Sequence, residues 1–246
     1  MINVVDFWKS TIGKKVFVAV SGSILLAYVF LHMAGNLNSL WGAGGGEEAR
    51  VNWYAEWLRD FGEPLLPHSS VLWAFRAVLL LALIIHVTGV IQLAKRNREA
   101  RPPQFPARRI KRSFSSMTMM VTGLLLLAFI VFHILQFTSL TIDVTPLEEG
   151  NVYANLYYAF HEWYFVVIYV AAVTFLGFHL RHAIWSLTMT LGLDAPSRNR
   201  QIRYAATGLS ILLVIGFASV PILFSTDVLG APESTTALLA PLGGLT

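Results

Sequence analysis

The 246-residue sequence contains no cysteine. That excludes disulfides, thiolate-held iron–sulfur clusters and covalent c-type haem, which needs Cys-x-x-Cys-His. Charge is scarce as well. Only 13% of the residues are Asp, Glu, Lys or Arg, against roughly 25% in an average soluble domain. No Gly-rich nucleotide fingerprint follows a strand, because the Gly42–Gly46 run lies in a polar loop. No Asp or Glu falls in the middle of any long apolar run, and Glu162 stands only at the edge of one. A carboxylate proton wire across these runs is therefore not evident. The first apolar run is too long for the core of a cleavable signal, so it reads as a retained span.

What is present is apolar and blocked. Hydrophobic residues make up 55% of the chain, and they gather in five runs, at about residues 16–40, 71–93, 115–137, 163–187 and 204–224. Each approaches the roughly 20 residues that a helix needs to cross a bilayer. The expectation is an all-α membrane protein with five transmembrane helices, four of them forming a core and the fifth completing the packing. Between the first two runs, Val51, Tyr54, Ala55, Leu58 and Phe61 recur at helical spacing within residues 48–61, with Trp53 and Trp57 adding bulk. A helix in the interface plane fits this pattern, and so does a helix packed over the bundle end. The tail, residues 226–246, is rich in Pro, Gly, Ser and Thr.

The placement of charge sets an expected orientation. Lys9, Lys14 and Lys15 precede the first run. Lys95, Arg96, Arg98, Arg101, Arg108, Arg109, Lys111 and Arg112 crowd the second loop, and Arg198, Arg200 and Arg203 the fourth. The intervening loops hold most of the carboxylates. Lys/Arg excess marks the cytoplasmic side, which puts the N-terminus inside and, after five spans, the C-terminus outside. A cytoplasmic loop accounts for the basic residues without a nucleic-acid partner.

Seven histidines occur. His68 and His161 sit at span ends, where ordinary interfacial polarity explains them. Within the spans, helix rise sorts the others by depth. His32 is 17 positions after Lys15 and His133 is 21 after Arg112, so they lie about 25 and 30 Å from the inner edge. His86 is 9 positions before Lys95, about 14 Å from that edge. His179 is 16 positions after Trp163, about 24 Å below the outer surface. Two pairs result: His32 with His133 in the outer half, His86 with His179 in the inner half. Like-directed helices stand diagonally in a four-helix bundle, and each diagonal can clasp a flat macrocycle between two imidazoles, as in a bis-histidine haem b site. His182 shares a face with His179, so spacing leaves its ligation open. Gly22 and Gly123 each lie ten residues before an outer histidine, about 15 Å of helix, and so fall at the inner level. They would clear space for a ring edge there, or serve close helix packing. Ser21, Ser115, Ser116 and Arg112 stand near the inner span ends, where propionate binding and plain interfacial polarity both fit. Arg181 must snorkel or find a partner in the bundle.

This order of histidines, one in each of spans one to four and none in the fifth, resembles the single-chain di-haem cytochrome b membrane anchor of succinate dehydrogenase/fumarate reductase. The strings Phe30-Leu31-His32, Ile85-His86-Val87-Thr88-Gly89, Val121-Thr122-Gly123 and Phe178-His179-Leu180-Arg181-His182-Ala183-Ile184-Trp185-Ser186 carry the resemblance, as does Asn52-Trp53-Tyr54-Ala55-Glu56-Trp57-Leu58-Arg59. It covers nearly all of residues 10–225. The resemblance implies two haems b, a distal one on His32 and His133 and a proximal one on His86 and His179. It implies a flavoprotein subunit and an iron–sulfur subunit on the cytoplasmic face of a bacterial inner membrane, with the complex free to form a higher oligomer. It also implies reaction with a quinone, menaquinone for a di-haem anchor. Two other functions remain in view: a cytochrome b of a hydrogenase, formate dehydrogenase or nitrate reductase, and a histidine-lined metal transporter. Transporter sites usually gather near the midplane with broken helices, whereas these histidines separate into two levels.

Overall fold

The computed structural model describes residues 3–43, 48–100, 114–142, 148–193 and 195–232, with side chains in the third segment from 118 onward. Most of the basic second loop with Arg112, the side chains of Ser115 and Ser116, and the tail from 233 fall outside the described residues. The rest folds into eight α-helices and a 3-10 turn at Leu37–Trp41. The helices are α1 Val4–Lys9, α2 Thr11–Asn36, α3 Arg50–Asp60, α4 Ser70–Glu99, α5 Phe114–Phe137, α6 Val152–His161, α7 Trp163–Thr190 and α8 Asn199–Ser225. Five of them, α2, α4, α5, α7 and α8, are long and apolar enough to cross a membrane.

Several of these helices outrun their apolar windows, since the loss of hydrophobicity does not by itself end a helix. Ser10 starts α2 by accepting from the Gly13 amide at 2.8 Å, well before the apolar run begins. At the far end of α4 the helix continues through Lys95 and Arg98 to Glu99. Arg96 there donates to the Lys9 carbonyl at 2.7 Å and to Thr11 Oγ1 at 3.2 Å, fastening α4 to the corner between α1 and α2.

Hydroxyls inside the spans are satisfied by their own backbone. Ser21 donates to Phe17 O, Ser23 to Ala19 O, Thr88 to Ile84 O, Thr174 to Val170 O and Ser210 to Ala206 O. This matters in lipid, which offers no hydrogen-bond partner. Among the described residues no buried side-chain polar atom lacks a partner.

α7 is the most enclosed span, packed between α5 and α8 and touching α2, while α2 packs along α4. The perimeter is apolar: Val20, Ile24 and Leu31 on α2, Leu80 and Ile84 on α4, Leu124 and Val131 on α5, and Ile211 and Ile215 on α8 are exposed. Soluble proteins rarely leave so large an apolar surface uncovered, and lipid is the solvent it suits.

One end of the bundle is capped. α6 lies across it with Tyr153, Ala159 and Phe160 almost wholly buried against Phe165, Val220 and Phe224. Asn151 caps α6 through the Ala154 amide, and Tyr153 donates to the Gly230 carbonyl at 2.9 Å. α3 packs beside α6 with Val51 buried and Trp53 and Trp57 outward, so it covers the bundle end while presenting two tryptophans to the interface. Cations stack on tryptophan at both ends: Arg50 on Trp41 and Arg76 on Trp73 at the capped end, Lys14 on Trp8 and Arg203 on Trp185 at the other. Such amphipathic pairs belong at the headgroup level.

Candidate functional site

The bundle core brings the histidines of different spans together. Among the described residues α2 and α5 do not pack along their lengths, yet His32 and His133 reach across the core until their ring centroids are 5.7 Å apart, at 78° to one another. The two rings meet edge to face in the outer half of the core. Tyr28 stacks on His32 at 5.3 Å and Phe129 on His133 at 5.9 Å, fixing both rings from the side.

His86 of α4 and His179 of α7 occupy the other level. Each lies against a glycine. A Cβ built on Gly22 would stand 3.1 Å from His86 Cε1, and one on Gly123 would stand 3.4 Å from His179 Cε1. The ten-residue offset from the outer histidines thus corresponds to direct contact with the inner ones, on the helices that do not carry them. Close packing of helix against ring and clearance for a planar group are both served by the missing side chain.

Hydrogen bonds decide which ring nitrogen is available. His86 Nδ1 is 3.3 Å from the Val18 carbonyl, which can only accept. Nδ1 therefore carries the hydrogen, and the Nε2 lone pair is free to bind a metal. At His179, Nδ1 is 3.4 Å from Thr122 Oγ1, whose own hydrogen is directed at the Thr118 and Met119 carbonyls. His133 Nδ1 is 3.0 Å from the Tyr169 hydroxyl. Such outer contacts fix ring orientation in metal sites.

The remaining candidates fall towards the end opposite α6 or outside the core. Ser21 is buried beside Val18 and donates to Phe17 O at 2.7 Å, leaving only its lone pairs to receive a ligand. His182 is half-buried, one turn beyond His179. Ser116 lies outside the described side chains. Arg181 points to α8, where its Nε donates to Thr207 Oγ1 at 3.1 Å. His68 sits among the carboxylates of Asp60 and Glu63, 3.2 Å from each, and His161 Nε2 is 2.8 Å from Asp227. Both make surface polar contacts at the capped end. The sequence reading missed Tyr169 and Gln136, single polar side chains in apolar runs whose meeting depends on how α5 and α7 are rotated.

Five apolar spans around a histidine-bearing core define a multi-pass membrane protein. Residues 95–243, more than half of the chain, match the model of the succinate dehydrogenase/fumarate reductase transmembrane subunit, and the chain belongs to that family. The matched segment contains His133, His179 and His182, while His32 and His86 precede it. No curated protein matches the chain, and no solved structure does.

Proposed function

We propose that the chain is the di-haem cytochrome b anchor of its complex, carrying electrons between an iron–sulfur subunit and membrane quinone. The observation that supports this most is the arrangement of four histidines on four spans as two cross-bundle pairs at two depths. His32 and His133 would hold the distal haem and His86 and His179 the proximal one. Haem b with two histidine ligands has no open iron position, so it supplies electron transfer, not oxygen activation. The chain's own part is to present Nε2 lone pairs, orient the rings through Nδ1, and keep water out with aromatic and aliphatic side chains. Gly22 and Gly123 would admit the proximal macrocycle edge, and Ser21 and His182 stand near enough to that level to meet its periphery.

On the charge distribution, the end opposite α6 faces the cytoplasm of a bacterial cell and α3 and α6 face outward. The cytoplasmic end, with Lys95, Arg96, Arg98, Arg198, Arg200 and Arg203, would receive the iron–sulfur and flavoprotein subunits. The quinone would be menaquinone, as the di-haem resemblance implies. The test is reconstitution with the two partner subunits in proteoliposomes, read by reduced-minus-oxidised visible spectra. Succinate should reduce at least the higher-potential haem, and added quinone should reoxidise it. Two oxidised haems in a complex that still passes succinate electrons to a soluble dye would refute the route through this chain.

A further inference from the structure

The outer histidine pair has a feature that the inner pair lacks. Tyr169 of α7 and Gln136 of α5 form a buried polar couple beside His133. The Tyr169 hydroxyl donates to Gln136 Oε1 at 2.8 Å and lies 3.0 Å from His133 Nδ1. Gln136 is 1% exposed and Tyr169 8%. The Tyr169 ring is held by Phe129, Phe132, Phe137 and Phe160, with centroids between 5.0 and 6.2 Å away. Burying an amide and a phenol among aromatic rings carries a desolvation cost that two apolar side chains would avoid. A group retained under that cost, and aimed at a candidate ligand, calls for a role beyond packing.

We infer that Tyr169 and Gln136 are positioning residues that fix the tautomer of His133 and lower the potential of the haem it binds. A hydroxyl has one hydrogen, and here Gln136 takes it. Towards His133 the phenol can therefore only accept, so Nδ1 carries the hydrogen and Nε2 is left for iron. With Gln136 polarising the phenol, its oxygen is the better acceptor. That pulls on the Nδ1 hydrogen, makes the imidazole a stronger donor and favours the ferric state. His86 has the longer 3.3 Å contact to the Val18 carbonyl instead, so the two haems receive different second partners. The inference rests on His133 being a haem ligand.

The experiment uses the assembled complex in membranes, with redox titration of each spectral component and low-temperature EPR of the ferric haems. H133A first marks which component belongs to the outer pair. Y169F removes the acceptor. Both haems should remain, the marked component should titrate at a higher potential with a shifted largest g value, and the other component should stay where it was. Q136L keeps the phenol but removes its acceptor, and should shift the same component in the same direction by less. Unchanged potentials in both variants, or equal shifts in the two haems, overturn the inference. Should Y169F lose the haem, the Q136L titration decides alone, and no shift there overturns it. A different result, both components surviving in H133A, would refute ligation itself.

Discussion

Gly22, Gly123 and Gly208 form a graded series that tests whether the inner level holds a cofactor whose ligands need clearance. All three lie in spanning helices, and alanine adds the same single carbon to each. At Gly22 that carbon would sit 3.1 Å from His86 Cε1 and 3.2 Å from Nδ1. Those distances are inside van der Waals contact, so the ring must shift by a few tenths of an ångström. At Gly123 the closest approach to His179 is 3.4 Å, the edge of ordinary contact, and at Gly208 nothing lies within 4 Å. Overpacking of a tight core typically costs about 1–3 kcal/mol. If His86 must take that strain to ligate, haem affinity at its site falls about five- to a hundredfold, since 1.4 kcal/mol is tenfold. G22A should therefore lose inner haem under limiting haem supply, G123A should lose less, and G208A none. Pyridine haemochrome assay on the purified chain gives the total, and the difference spectrum says which component is missing. Equal haem content in all three variants would refute the clearance argument. So would loss of the outer haem in G22A, because Gly22 is about 15 Å of helix from His32.

Other outcomes follow from the same geometry. H32A and H133A should each abolish one and the same spectral component, and H86A and H179A the other, while H182A keeps both; potentiometric titration of each variant reads this directly, and loss of the inner haem in H182A with retention in H179A would reverse the assignment on α7. In the cap, Y153A should lower the melting temperature followed by tryptophan fluorescence in detergent, at a cost of about 3–5 kcal/mol for emptying a large buried site. Y153F, which loses only the bond to the Gly230 carbonyl, should cost about 0.5–1.5 kcal/mol. If Y153F equals Y153A, the hydrogen bond and not the packing holds the cap.

The spans were legible because lipid imposes a length and a composition, and five runs satisfied both. Their ends were not, since α2 begins at a serine cap and α4 runs on through charged residues to Glu99. The sequence also has the pattern of α6, with Tyr153, Leu156, Tyr157 and Phe160 at helical spacing behind Asn151. At ten residues, between two spans, it passes for loop, and its burial comes from tertiary contacts with Phe165 and Phe224. Histidine depth could be counted because helix rise is constant. Rotation could not, because packing sets the phase of each helix about its axis. That is why the role of Gly22 was open to two readings, and why Tyr169 and Gln136 were invisible as a pair.

The two histidine levels sit in different surroundings, and the fold explains why. At the capped end α6 closes the bundle, so side chains there meet large partners: Phe129, Phe137 and Tyr169 stand against His133, with Phe132 and Phe160 packed behind them. Towards the other end α2 and α5 offer glycines and hydroxyls, with Gly22 and Ser21 on one helix and Gly123 and Thr122 on the other. The repeated small-residue pair is what lets two helices without inner histidines pass close to His86 and His179. Bulk at one level and clearance at the other are thus opposite demands on the same two helices, met about ten residues apart. On the proposed function this asymmetry has a use, because two carriers in series need not share one potential. A chain with identical settings at both levels would have to obtain any difference from its partners, whereas here the residues beside each histidine already differ.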